Sequence, residues 1–138
     1  MGSHEVIVLD THAALWLLND DPALGKKARA SVIAARAADE LGISAISFWE
    51  TALLMTKGRL RLEFPPGEMR RKILETGMIE LPVSGDIAVL AVELQNLHGD
   101  PADRFIAATA IAHEATLMTA DNRLLKWRHK LKRQNASK

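Results

Sequence analysis

The chain has 138 residues, with 18 lysines and arginines against 17 aspartates and glutamates, no cysteine, and 48% hydrophobic content. A domain of that size buries roughly two-thirds of its unfolded surface, so a single globular domain with its own core is expected. The lack of cysteine excludes thiolate zinc sites, iron–sulfur clusters, disulfide frameworks and cysteine nucleophiles.

No apolar run approaches the ~20 residues that span a bilayer, and Val6-Ile7-Val8-Leu9 is too short for the core of a signal peptide, so a soluble, cytoplasmic protein is expected. Met1-Gly2-Ser3-His4 reads as a vector remnant, which leaves a domain over 5–125 and a basic segment over 126–138. The net charge of +1 is a cancellation. Residues 1–125 carry 12 basic and 17 acidic side chains, whereas 126–138 carry 6 basic and none acidic. The basic end reads either as a solvated tail or as a phosphate grip for a nucleic acid, whose binding would weaken with salt.

Val6 to Leu9 is a β-branched apolar run that stops at Asp10-Thr11, and a helical pattern follows from Ala13 to Leu18. Asp21 as cap and Pro22 at the first helical position predict an alanine-rich helix to about Asp39. A short strand is expected over Leu41–Ser44, then a helix from Ser47 to about Lys57 that Gly58 ends. Pro65-Pro66-Gly67 breaks the chain before an amphipathic helix over Glu68–Glu75, closed by Gly77. Met78–Val83 is a third strand. Ser84 caps the next helix, Asp100-Pro101 opens another over Ala102–Ala115, and Thr116–Thr119 is a fourth strand that ends on Ala120-Asp121. Short buried strands alternating with helices of about ten residues predict an α/β domain, a parallel sheet covered on both faces.

Four acids fall at strand-to-helix transitions: Asp10 after the first strand, Glu50 and Asp103 in the first turns of helices, and Asp121 after the fourth strand. Each has a purely structural reading, because acids at helix starts satisfy free N–H groups. Ser47-Phe48-Trp49-Glu50 matches a capping box, and Asp100 can cap the helix that holds Asp103. Together they say more. Ligands of open parallel sheets bind beyond the carboxyl ends of the strands, and four carboxylates gathered there would repel one another without a cation. An all-oxygen set suits Mg²⁺ or Mn²⁺ rather than Zn²⁺. Such ions activate a water and stabilise charge on phosphate oxygens, which makes phosphodiester hydrolysis the natural reaction class.

At these residues the sequence resembles the PIN-domain nucleases, and specifically the VapC-type toxins of bacterial type II toxin–antitoxin systems. The matching segments are Leu9-Asp10-Thr11-His12-Ala13, Ile43 to Glu50 with Lys57-Gly58-Arg59-Leu60, Asp100 to Ala107, and Thr119-Ala120-Asp121, in the family's order and spacing. The resemblance implies a PIN-like parallel sheet of four to five strands sandwiched by helices. It implies catalytic, metal-holding acids at Asp10, Glu50, Asp103 and Asp121. Thr11 and Thr119 would orient carboxylates or a water. Asp100 belongs to the same motif, although its cap role accounts for it. Arg104 would pair with an acid or a phosphate, a structural salt bridge being the favoured reading. The implied activity is a metal-dependent endoribonuclease using Mg²⁺ or Mn²⁺, homodimeric, and held inactive by a cognate antitoxin.

A fifth strand is left open, because Leu124 to Lys138 has no β-branched run, and Leu124, Trp127 and Leu131 are at helical spacing. His12 reads as a polar residue of a first helical turn, His98 and His113 as surface residues, and Trp16 and Trp49 as core or dimer contacts. The alternative function is a catalytically silent PIN-like module that binds RNA or protein. A haloacid-dehalogenase-type phosphatase would want an acid where His12 stands. A receiver domain would want adjacent acids after the first strand and a lysine after a late one, and neither is present.

Overall fold

The computed structural model describes residues 5–138, so the reading of residues 1–4 lies outside the described residues. Five strands, β1 (Ile7–Leu9), β2 (Leu41–Ser44), β3 (Ile79–Leu81), β4 (Thr116–Thr119) and β5 (Arg133–Asn135), form one sheet in the order β3-β2-β1-β4-β5. All four pairings are parallel. The helices are α1 (Thr11–Leu18), α2 (Lys26–Ala37), α3 (Ile46–Thr56), α4 (Pro66–Glu75), α5 (Gly85–Glu93), α6 (Pro101–Ala112) and α7 (Asn122–Leu125). No helix among the described residues is long and apolar enough to cross a membrane.

Side-chain alternation along β1 divides the interior in two. Ile7 and Leu9 join Leu41, Ile43 and Met118 under Ala13, Ala14, Val32, Met69 and Ile73 of α1, α2 and α4. Val8 points the other way, with Leu117, against Ile87, Ile106, Ala107 and Leu124 of α5, α6 and α7. Strands buried on both faces explain the continuous apolar runs. Gly58 at φ +70° and Gly77 at φ +96° follow the ends of α3 and α4, in the left-handed region where glycine carries no Cβ penalty.

Two expected helix starts are corrected. The helix expected from Pro22 begins at Lys26, capped by Gly25, because Asp21 Oδ1 instead accepts from the Ala23 N–H at 2.9 Å and holds a turn. The capping box at Ser47 does not form either. α3 starts at Ile46, and the Ser47 hydroxyl accepts from Thr11 Oγ1 at 2.9 Å within the interior.

The basic end of the chain is folded onto the domain. The spacing of Leu124, Trp127 and Leu131 is not that of a continued helix, since α7 stops at Leu125, yet all three are buried. Arg133 gathers the turn between them, donating to the carbonyls of Leu124, Trp127 and His129 at 3.1, 2.6 and 2.8 Å. β5 then pairs with β4, leaving its other side as the sheet edge. Beyond it, the Ala136 carbonyl accepts from the Gly25 N–H at 2.9 Å and the Lys138 carbonyl from the Lys27 N–H at 3.0 Å. The approach is so close that a Cβ on Gly25 would lie 2.1 Å from the Lys138 backbone.

Candidate active site

The strand order reverses at β1, which has β2 on one side and β4 on the other. The crevice beyond the carboxyl ends of two such strands is where open α/β sheets bind ligands. Here it is a cavity of about 290 Å³ lined by Asp10, Thr11, His12, Trp16, Glu50, Asp100, Asp103, Ala120, Asp121 and Arg123. The four acids expected to act together line this one cavity.

Asp10 leaves β1 and caps α1. Its Oδ1 accepts from the N–H groups of His12 at 2.8 Å and Ala13 at 3.4 Å, and its Oδ2 accepts from Thr119 Oγ1. Thr119, fully buried at the end of β4, also accepts from the Asp121 N–H at 3.0 Å. One hydroxyl thus ties the carboxylate after β1 to the backbone of the acid after β4. Thr11 acts one step further back, its bond to Ser47 joining the first turns of α1 and α3. With Ser47 so engaged, Glu50 does not fold back as a cap, and its side chain carries no hydrogen bond or ion pair with other described residues.

Asp100 caps α6 by accepting from the Asp103 N–H at 3.2 Å. Asp103 then points into the cavity, where its Oδ2 lies 2.6 Å from His98 Nε2. Burial pushes its carboxyl up from 3.8 to about 6, and Asp100 and Asp10 push the same way, while the His98 hydrogen bond partly opposes them. Asp121 caps α7 and is held below the ordinary carboxylate range, chiefly by its bond with Arg123. Arg123 Nη2 stands 2.9 Å from Asp121 Oδ2 and 3.5 Å from Asp103 Oδ2.

The donor chemistry fits a hard divalent cation. Five carboxylates, the expected four and Asp100, line one space; the Glu50 side chain has no partner among the described residues, and Asp103 is pushed up in pKa by burial and by neighbouring acids. The tightest group is not the expected four. Ligand atoms of His98, Asp103 and Asp121 all lie within 4.8 Å of one another, while Asp10 and Glu50 line the cavity outside that group. His98, expected at the surface, is therefore a site residue. The signal was its place on the loop just before Asp100, brought inward by the fold.

Arg104 forms no ion pair among the described residues and does not line the cavity. It donates to the carbonyls of Ala91 and Leu97 at 2.8 Å, Val92 at 3.1 Å, Leu94 at 2.8 Å and His98 at 3.2 Å. The expected salt bridge is replaced by a clamp on the loop that carries His98. Trp16 is half-buried at the cavity wall, and Trp49, beside Glu50, is 53% exposed and so no core residue. His12 lines the cavity from an exposed position, and His113 is exposed and away from it.

The PIN domain profile matches residues 7–130. Ribonuclease VapC22 of Mycobacterium tuberculosis is 36% identical over 124 residues, covering 89% of this chain and 92% of that protein. Among solved structures, VapBC2 from Rickettsia felis bound to a DNA fragment from its promoter superposes with a TM-score of 0.69 at 19% identity, over 94% of this chain and 98% of that one. FitAcB from Neisseria gonorrhoeae gives a TM-score of 0.65 at 21% identity, over 95% and 98%.

Proposed function

The chain belongs to the PIN-domain family, among its VapC-type members, and on that premise we propose that it is an endoribonuclease toxin that depends on Mg²⁺ or Mn²⁺ and is neutralised by a cognate antitoxin. The observation that carries the reading is the convergence of Asp10, Glu50, Asp103 and Asp121 on one cavity at the reversal of strand order.

A divalent ion bound there would supply a Lewis acid for a phosphoryl oxygen and lower the pKa of a water. The chain's own residues do the rest. Asp10, fixed by two α1 amides and Thr119, offers a preset carboxylate. His98 orients Asp103, and the Thr119 hydroxyl sets the backbone of Asp121. Glu50, whose side chain has no partner among the described residues, is free to take a ligand or to accept the proton of the attacking water at a carboxylate oxygen. The half-buried Trp16 at the cavity wall and the exposed Trp49, next to Glu50 in the chain, suit contact with a protein partner. A homodimer acting in the cytoplasm completes the proposal.

Incubation of the purified protein with total RNA should yield discrete cuts with Mg²⁺ or Mn²⁺ and none with EDTA. Asp10→Asn and Asp103→Asn should each reduce cleavage to background with an unchanged circular dichroism spectrum. Full cleavage by both variants would remove the metal-site assignment. No cleavage by the unaltered protein with any divalent ion would favour the silent binding module.

A further inference from the structure

Among the described residues, the Arg123 side chain bonds only carboxylates, and these are acids of the cavity. Its Nη2 bridges Asp121 Oδ2 at 2.9 Å and Asp103 Oδ2 at 3.5 Å, and its Nε lies 3.3 Å from Asp121 Oδ1. Asp103 and Asp121 belong to the group whose ligand atoms gather within 4.8 Å. The guanidinium therefore neutralises the oxygens that a divalent ion would take.

We propose that Arg123 is a built-in counter-cation of the cavity, which a divalent ion displaces and whose guanidinium then meets an RNA phosphate beside the bond to be cut. The proposal rests on the metal-dependent nuclease reading above. Three features support an exchange rather than a fixed ion pair. The Arg123 side chain is 58% exposed, so its head group has open solvent to turn into. Its backbone N–H donates to Asp121 Oδ1 at 2.8 Å, so the residue stays anchored whichever way the side chain turns. A planar guanidinium released at the mouth of an anionic site also matches two phosphate oxygens at once. The metal would thus recruit a substrate contact by evicting it from the acids, and the cavity would keep its charge partly balanced when no metal is held.

As a positioning residue, Arg123 is tested by the affinity of the metal alone. Calorimetric titration of Mn²⁺ into the wild type, Arg123→Ala and Arg123→Lys should show roughly 2–5-fold tighter binding by Arg123→Ala, the range set by the loss of an exposed ion pair. Arg123→Lys, which keeps the competing charge, should bind Mn²⁺ like the wild type. In Mn²⁺, fluorescence anisotropy with a 2′-O-methyl oligoribonucleotide should show weaker binding by Arg123→Ala, with a shallower salt dependence. Unchanged or weaker Mn²⁺ binding by Arg123→Ala overturns the proposal. Tighter Mn²⁺ binding with unaltered oligonucleotide affinity overturns the phosphate contact. Failure of the wild type to bind Mn²⁺ at all is a separate result, which refutes the metal-dependent reading and this proposal with it.

Discussion

Arg104 and Arg123 each follow a cavity acid within two positions of the chain, one behind the start of α6 and the other at the mouth of the site. Arg104 turns away from the carboxylates and spends its five N–H groups on five main-chain carbonyls of the 91–98 segment. Arg123 turns toward them and bonds only carboxylate oxygens with its side chain, half in water. A donor ringed by carbonyls is held by geometry and holds the backbone in return. An exposed cation facing partly buried acids contributes charge that other cations can replace. The first is therefore a matter of stability, and the second a matter of the site's electrostatics.

The largest effect should come from Arg104→Ala, which leaves several half-buried carbonyls without donors and should lower unfolding stability by about 3 kcal/mol or more in urea titration. Arg104→Lys should recover little, because an ammonium cannot span five acceptors. Arg123→Ala should leave the urea midpoint near the wild-type value, and the contrast breaks if the two alanine variants behave alike.

Asp103 sharpens the same contrast through pH. Its folded pKa of about 6 stands above the ordinary 3.8, so the folded chain holds this proton more tightly than the unfolded one. The group costs nothing below about pH 3.8, costs progressively more as pH rises toward about 6, and imposes its full cost above that. In EDTA, Asp103→Asn should raise the melting temperature at pH 7 and remove this component of the pH dependence. Next in size is Thr119→Val, which unties Asp10 from Asp121 and should weaken Mn²⁺ binding by about tenfold in calorimetry, the scale typical of groups that orient metal ligands. The smallest effect concerns Lys130 and Lys132, exposed on the folded C-terminal segment. Changing both to Gln should reduce the salt slope of RNA binding by about 0.7 for each phosphate that a lysine no longer neutralises, without altering the fold. An unchanged slope would leave these lysines as solvated surface. Deleting the whole segment would be a poor test, because it removes β5 and the buried Trp127 and Leu131.

Residues whose environment is decided locally were readable from the sequence. The β2 and β4 strands, the Ser84 and Asp100 caps and the glycine stops after α3 and α4 stand where composition and turn chemistry put them. The gathering of the four acids also followed from their places at strand ends and helix starts. What was not readable depended on distant partners. Ser47 looks like a cap until Thr11, 36 positions away, claims its hydroxyl. Arg104 looks like half of an ion pair until the carbonyls of α5 and the following loop surround it. His98 looks like loop surface until Asp103 draws it inward. β5 is Arg-Gln-Asn, a polar edge strand with none of the β-branched character that marks strands between neighbours.

The hydroxyl of Thr119 and the carboxylate of Asp10 are separated by 109 positions in the chain. The first strand to be made is the central one, and its second neighbour, β4, is almost the last. At translation rates of about 5–20 residues per second, Asp10 waits roughly 5–20 s for Thr119 and Asp121 to exist. No partial chain can close the cavity. A chain still short of Asp121 lacks one of the acids that line it.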